Sequence, residues 1–108
     1  MRALLPILLV AAHAALAADI VPTFDIEPSC RAAGDASPAP GRDAESCRRD
    51  ERDARSKLEQ DWSKYRTADR ARCVQLTMIG GKPSYVEVLT CLEMARDVEA
   101  LPPAARPR

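Results

Sequence analysis

The sequence predicts an all-α fold: a small, disulfide-stapled helical hairpin plus one long charged helix, three helices in all. Three observations carry this expectation. Residues 43–66 contain no proline or glycine and are dominated by good helix formers. Two more apolar segments follow, separated by Gly80-Gly81 and by a helix-start signal at Ser84. Four cysteines stand 17, 26 and 18 residues apart, a spacing suited to staples in a short exported chain.

The chain opens with one basic residue, Arg2, an apolar run over residues 4–12, and small residues up to Ala18. This is the three-part pattern of a cleavable export signal. Ala15 and Ala17 supply the small side chains that signal peptidase needs, so residues 1–17 are expected to be removed, leaving Ala18 first. A retained membrane anchor fits less well, because Pro6 and His13 interrupt a run shorter than the ~20 residues of a bilayer span. The first cysteine is Cys30, away from the cleavage site, which argues against lipid anchoring there. The expected product is periplasmic or secreted, without stable membrane insertion.

Cleavage would remove Arg2 from the 16 basic residues, leaving 15 against 16 acidic, and would remove His13, the single histidine. A chain without histidine has no Ser-His-Asp triad, no Cys-His pair and no histidine-ligated metal. Near-balanced, interspersed charge also argues against a nucleic-acid partner, which calls for a basic face. No enzyme is expected, and no cofactor or metal.

Residues 18–42 are read as an extended, flexible segment tethered through Cys30, because Gly34, Pro38, Pro40 and Gly41 crowd its second half. Residues 43–99 form the expected helical domain. Residues 100–108, with three prolines, are expected to be a disordered tail. Some 55 to 60 residues of core-forming chain lie below the ~70 to 80 at which one core suffices unaided, so the staples matter.

In the long helix, Ala44, Cys47, Ala54, Leu58, Trp62 and Tyr65 fall on one narrow stripe at 100° per residue. Glu45 with Arg49, Glu51 with Arg55 and Asp53 with Lys57 are expected to pair on its solvated face. Thr67 is the expected N-cap of the next helix, with Asp69 in the first turn. That helix should end at Ile79 before the two glycines. Its apolar residues, from Ala71 to Ile79, spread around most of the circumference, which predicts neighbours on two sides. The last helix starts at a capping box, Ser84 with Glu87, and ends before Pro102.

Helix geometry chooses a disulfide pairing. Cys73 lies seven residues before Gly80 and Cys91 seven after Ser84, so both stand ~10 Å above the turn of an antiparallel hairpin. Cys47 is displaced from Cys73 by ~20 Å along the helices, beyond the ~7 Å α-carbon limit of a disulfide. The expectation is Cys30 with Cys47 and Cys73 with Cys91, each loop contributing on the order of 3 kcal/mol. A four-cysteine zinc site or a redox dithiol would need much closer spacing.

Other chemistry is thinly represented. Gly80-Gly81-Lys82-Pro83-Ser84 departs from a phosphate loop, since a helix precedes it and Pro83 separates the lysine from Ser84. Glu93 and Asp97 are one turn apart on a polar face, with no cleft implied. Lys82, Tyr85 and Val86 are the candidate docking residues, an aromatic and apolar spot beside a basic loop; the alternative is that Tyr85 belongs to the core.

The stretch RCVQLTMIGGKPSYVEVLTCLEMARD, from Arg72 to Asp97, resembles a group of small exported cysteine-containing proteins from rhizobial alphaproteobacteria with a PSYVELLTCLE-like core. Val88 stands where leucine is common in that core. The resemblance extends through Cys30, Cys47 and Trp62. It implies export, and no activity, cofactor or catalytic residue comes with it. A looser likeness, in Trp62 and in Arg66 to Cys73, is to periplasmic lysozyme-inhibitor domains. The expected function is a non-enzymatic accessory module that binds another envelope protein; the alternatives are an inhibitor of an envelope enzyme and a structural or stress-linked protein.

Overall fold

The computed structural model describes residues 20–108 and is helical, as expected, but with four helices rather than three among those residues: α1 (Glu27–Asp35), α2 (Pro40–Asp61), α3 (Thr67–Met78) and α4 (Tyr85–Ala100). The expected export signal lies outside the described residues.

The additional helix, α1, comes from the segment expected to be extended. Its prolines are not breakers, because Pro28 sits in the first turn of α1 and Pro40 in the first turn of α2. Helix starts tolerate proline, whose missing N–H would have no intrahelical acceptor there. Ser37 joins the two helices: its hydroxyl donates to the Asp43 carboxylate and accepts the Ala39 N–H at 3.0 Å. Gly34 is buried, and a Cβ at that position would stand 3.0 Å from the Pro40 carbonyl oxygen and 3.2 Å from the Ala44 Cβ. This glycine therefore permits the close approach of α1 to α2.

α1 packs on α2, α2 packs on α4, and α3 packs on α4. The core gathers Leu58, Trp62, Tyr65, Cys73, Tyr85, Val88 and Leu92. A 3₁₀ turn at Trp62–Lys64 ends α2 and sends the chain into α3. Both disulfides are formed as the helix geometry predicts, Cys30–Cys47 with α-carbons 5.3 Å apart and Cys73–Cys91 with 5.7 Å. One fastens α1 to α2 and the other α3 to α4. Disulfides of this kind persist in an oxidising compartment.

Gly80 and Gly81 both take positive φ, 87° and 72°, which stops α3 at low cost. The residues after α4 form a 3₁₀ turn at Pro103–Ala105, and Arg106 folds back to donate to the Leu101 and Glu99 carbonyls at 3.0 and 2.8 Å. The segment expected to be a disordered tail thus holds one short 3₁₀ turn. Among the described residues, no helix is long and apolar enough to cross a membrane.

Candidate functional site

Ser84 caps α4, accepting the Glu87 N–H at 3.2 Å. The return half of the expected capping box is replaced. Glu87 instead accepts a hydrogen bond from Thr77 Oγ1 at 2.8 Å, and Thr77 Oγ1 accepts the Ser84 N–H at 2.9 Å. The Ser84 hydroxyl donates to Glu51 of α2, whose other carboxylate oxygen accepts the Tyr85 N–H at 2.6 Å. Glu51 and Ser84 are both buried. A buried carboxylate needs such donors, and the positive end of α4 adds to them.

Glu51 therefore does not pair with Arg55 on the surface. It stands four residues after Cys47 and three before Ala54, on the buried stripe itself, and that polar interruption was the signal available in the sequence. Arg55 pairs with Glu59 at 3.0 Å and lies over the Tyr85 ring. The other two expected pairs are also replaced, Glu45 meeting Arg48 and Arg52, and Lys57 meeting Glu93 across the helices at 3.4 Å. A serine beside a glutamate can suggest nucleophilic chemistry, but here both side chains are buried and hold the start of α4.

Of the candidate docking residues, Tyr85 is removed from the surface at 3% exposure. Its hydroxyl donates to the Pro22 carbonyl at 3.0 Å and accepts the Phe24 N–H at 2.8 Å, while its ring packs 4.8 Å from that of Phe24. It straps residues 22–24 to the core. Lys82 and Val86 are both exposed, but with Tyr85 buried the three form no common surface. Trp62, expected as part of an inhibitor-like stretch, is buried beneath Arg70, whose guanidinium lies 5.6 Å from its ring.

The open apolar surface lies elsewhere. Among the described residues, α3 packs on α4 but not on α2, which rests on α4 instead. Of the neighbours expected on two sides of α3, α4 is the helix that packs against it among the described residues. Between α3 and α4 runs a groove of about 750 Å³, to whose lining Arg106 and Pro107 also contribute. Leu76 forms its α3 wall, and Cys91, Met94, Ala95 and Val98 its α4 wall. Leu76 is 53% and Met94 63% exposed, so the groove is open along its length. At its rim Arg66 pairs with Glu99 at 2.8 Å and Arg72 with Asp69 at 3.3 Å.

One perturbed pair lies at the far end of the molecule. The Arg48 guanidinium hydrogen-bonded to Glu27 at 3.0 Å holds that carboxyl below the usual carboxylate range, and Glu27 in turn raises Arg48. Both are solvent-accessible and join α1 to α2. Among the described residues, no cluster of three or more histidine, cysteine, aspartate or glutamate side chains is arranged to hold a metal.

The fold and groove define a class, among the described residues: a small all-helical domain with two disulfides and an open apolar face. Comparison of the chain with protein-family models, curated proteins and solved structures finds no match.

Proposed function

We infer that the chain is an exported, non-enzymatic binding or accessory module that engages a protein of the cell envelope through the α3/α4 groove. The observation that carries the reading is the groove itself: an apolar trough left open on a scaffold fastened by two disulfides. Exposed apolar surface rimmed by polar groups is costly to keep in a soluble protein unless something docks there. The export pattern of residues 1–17 and the disulfides support a periplasmic or secreted setting, as does the likeness to small exported rhizobial proteins.

The test compares oxidised protein with a reduced, alkylated sample as bait in periplasmic extract and growth medium. A partner held only by the oxidised form is the expected result. Catalytic turnover by the purified protein, or the same proteins on both baits, overturns the reading.

A further inference from the structure

The two disulfides share one asymmetry: each has one cysteine sealed in the protein and one within reach of solvent. Cys30 is 0% and Cys73 1% exposed, whereas Cys47 and Cys91 are only partly buried. A thiolate opens a disulfide by touching one of its sulfurs, so access decides which cysteine receives the incoming thiol and which one leaves. In the folded chain each bond is therefore approached from Cys47 or from Cys91.

The surroundings of those two cysteines differ. Cys91 lines the groove between α3 and α4, as does Ala95 one turn further along the same face of α4, while Cys73 is not part of that lining. The open walls of the groove leave room for a small thiol to lie against the Cys91 side of the bond. Cys47 sits instead in the seam between α1 and α2. There Cys30 is four residues before Gly34 and Cys47 three after Ala44, and a Cβ at Gly34 would stand 3.2 Å from that of Ala44. The Glu27–Arg48 ion pair bridges the same seam beside Cys47. Attack on either bond expels a buried thiolate, Cys30 or Cys73, which burial disfavours in both cases. That penalty is shared, so access to the attacked sulfur separates the two staples.

We propose that the Cys73–Cys91 disulfide is a thiol-exchange site entered from the groove, at which a low-molecular-weight thiol becomes bonded to Cys91. The incoming thiolate sulfur forms a bond to Cys91 Sγ, the Cys73–Cys91 bond breaks, and its electron pair leaves on Cys73 Sγ, which takes a proton from water. One disulfide is exchanged for another, so no separate oxidant or reductant is consumed. Return attack of the Cys73 thiolate on Cys91 Sγ expels the thiol and restores the staple. The adduct stands on the α4 wall of the groove, and this chemistry needs no protein partner there.

The probe is excess reduced glutathione added to the oxidised, folded protein, followed by acid quench, alkylation of free thiols and peptide mass spectrometry. The Cys73–Cys91 bond should open about fivefold or more faster than Cys30–Cys47, with glutathione carried by Cys91 and the alkyl group by Cys73. The rate should stay flat across sub-denaturing urea, because the folded chain is what reacts. Ala95→Leu, which adds bulk beside Cys91, should slow this opening by about threefold or more and leave Cys30–Cys47 unchanged. Opening of Cys30–Cys47 first, glutathione on Cys73, a rate that climbs with urea, or no opening of either bond overturns the proposal. So does an unchanged rate in folded Ala95→Leu; if that variant does not fold, the position of the adduct and the urea series decide alone.

Discussion

Glu51 of α2 and Tyr85 of α4, 34 residues apart in sequence, are joined by a hydrogen bond of 2.6 Å from the Tyr85 N–H to the Glu51 carboxylate. With the Ser84 hydroxyl on the other oxygen, this carboxylate fixes where α4 begins relative to α2. The remainder of the hairpin follows from that attachment, because α3 reaches α2 only by way of α4 and the turn at Trp62.

Replacing Glu51 should therefore be costly despite its being a charged residue. Glu51→Ala leaves the Tyr85 N–H and the Ser84 hydroxyl without their acceptor in a buried place and is expected to cost roughly 1–3 kcal/mol in urea denaturation. Ser84→Ala removes the cap itself and should cost about 1 kcal/mol. The double variant should lose less than the two single losses added, since the residues share one network.

The two disulfides should protect different parts of the chain. Replacing Cys73 and Cys91 by serine is expected to cost on the order of 3 kcal/mol and to raise amide hydrogen exchange first over residues 67–78. Replacing Cys30 and Cys47 should act first on residues 27–35. Uniform loss of protection in both variants would contradict this division.

Gly34 is needed for space rather than for backbone freedom. Gly34→Val should push α1 from α2 and lower stability by about 1–3 kcal/mol. Gly41, with nothing near a built Cβ, should accept alanine without such a loss.

The Glu27–Arg48 pair predicts an acid-side effect. Because the folded carboxyl titrates below its ordinary value, its contribution is present above the unfolded pKa and is lost as pH falls through the folded one, that is, below about 4.5. NMR titration should place the Glu27 midpoint below the ordinary glutamate value, and Arg48→Gln should return it there.

Much of this architecture is legible from residue spacing. Cys73 and Cys91 sit at equal heights from the turn, and the Ser84 cap marks the start of α4, so the hairpin and its staple follow from local rules. α1 is harder to read, because Gly34, Pro38, Pro40 and Gly41 look like breakers until Gly34 is seen packed against α2 and Pro40 in its first turn. Glu51 is read as a surface partner of Arg55 because four-residue charge spacing is common on exposed faces, although its place on the apolar stripe pointed inward. The groove depends on which helix α2 chooses. The apolar residues around α3 imply a neighbour on its second side, and only the tertiary arrangement reveals that no helix of this chain, among the described residues, supplies it.

The central claim is that this groove is where a partner binds. Met94 is exposed and outside the core, so Met94→Glu should change stability by no more than about 0.5 kcal/mol. The most direct measurement is quantitative capture from periplasmic extract and medium with oxidised wild type and oxidised Met94→Glu side by side, both shown to be folded. The account predicts a defined partner on the wild type that is lost from the variant. The same proteins in the same amounts on both would contradict it.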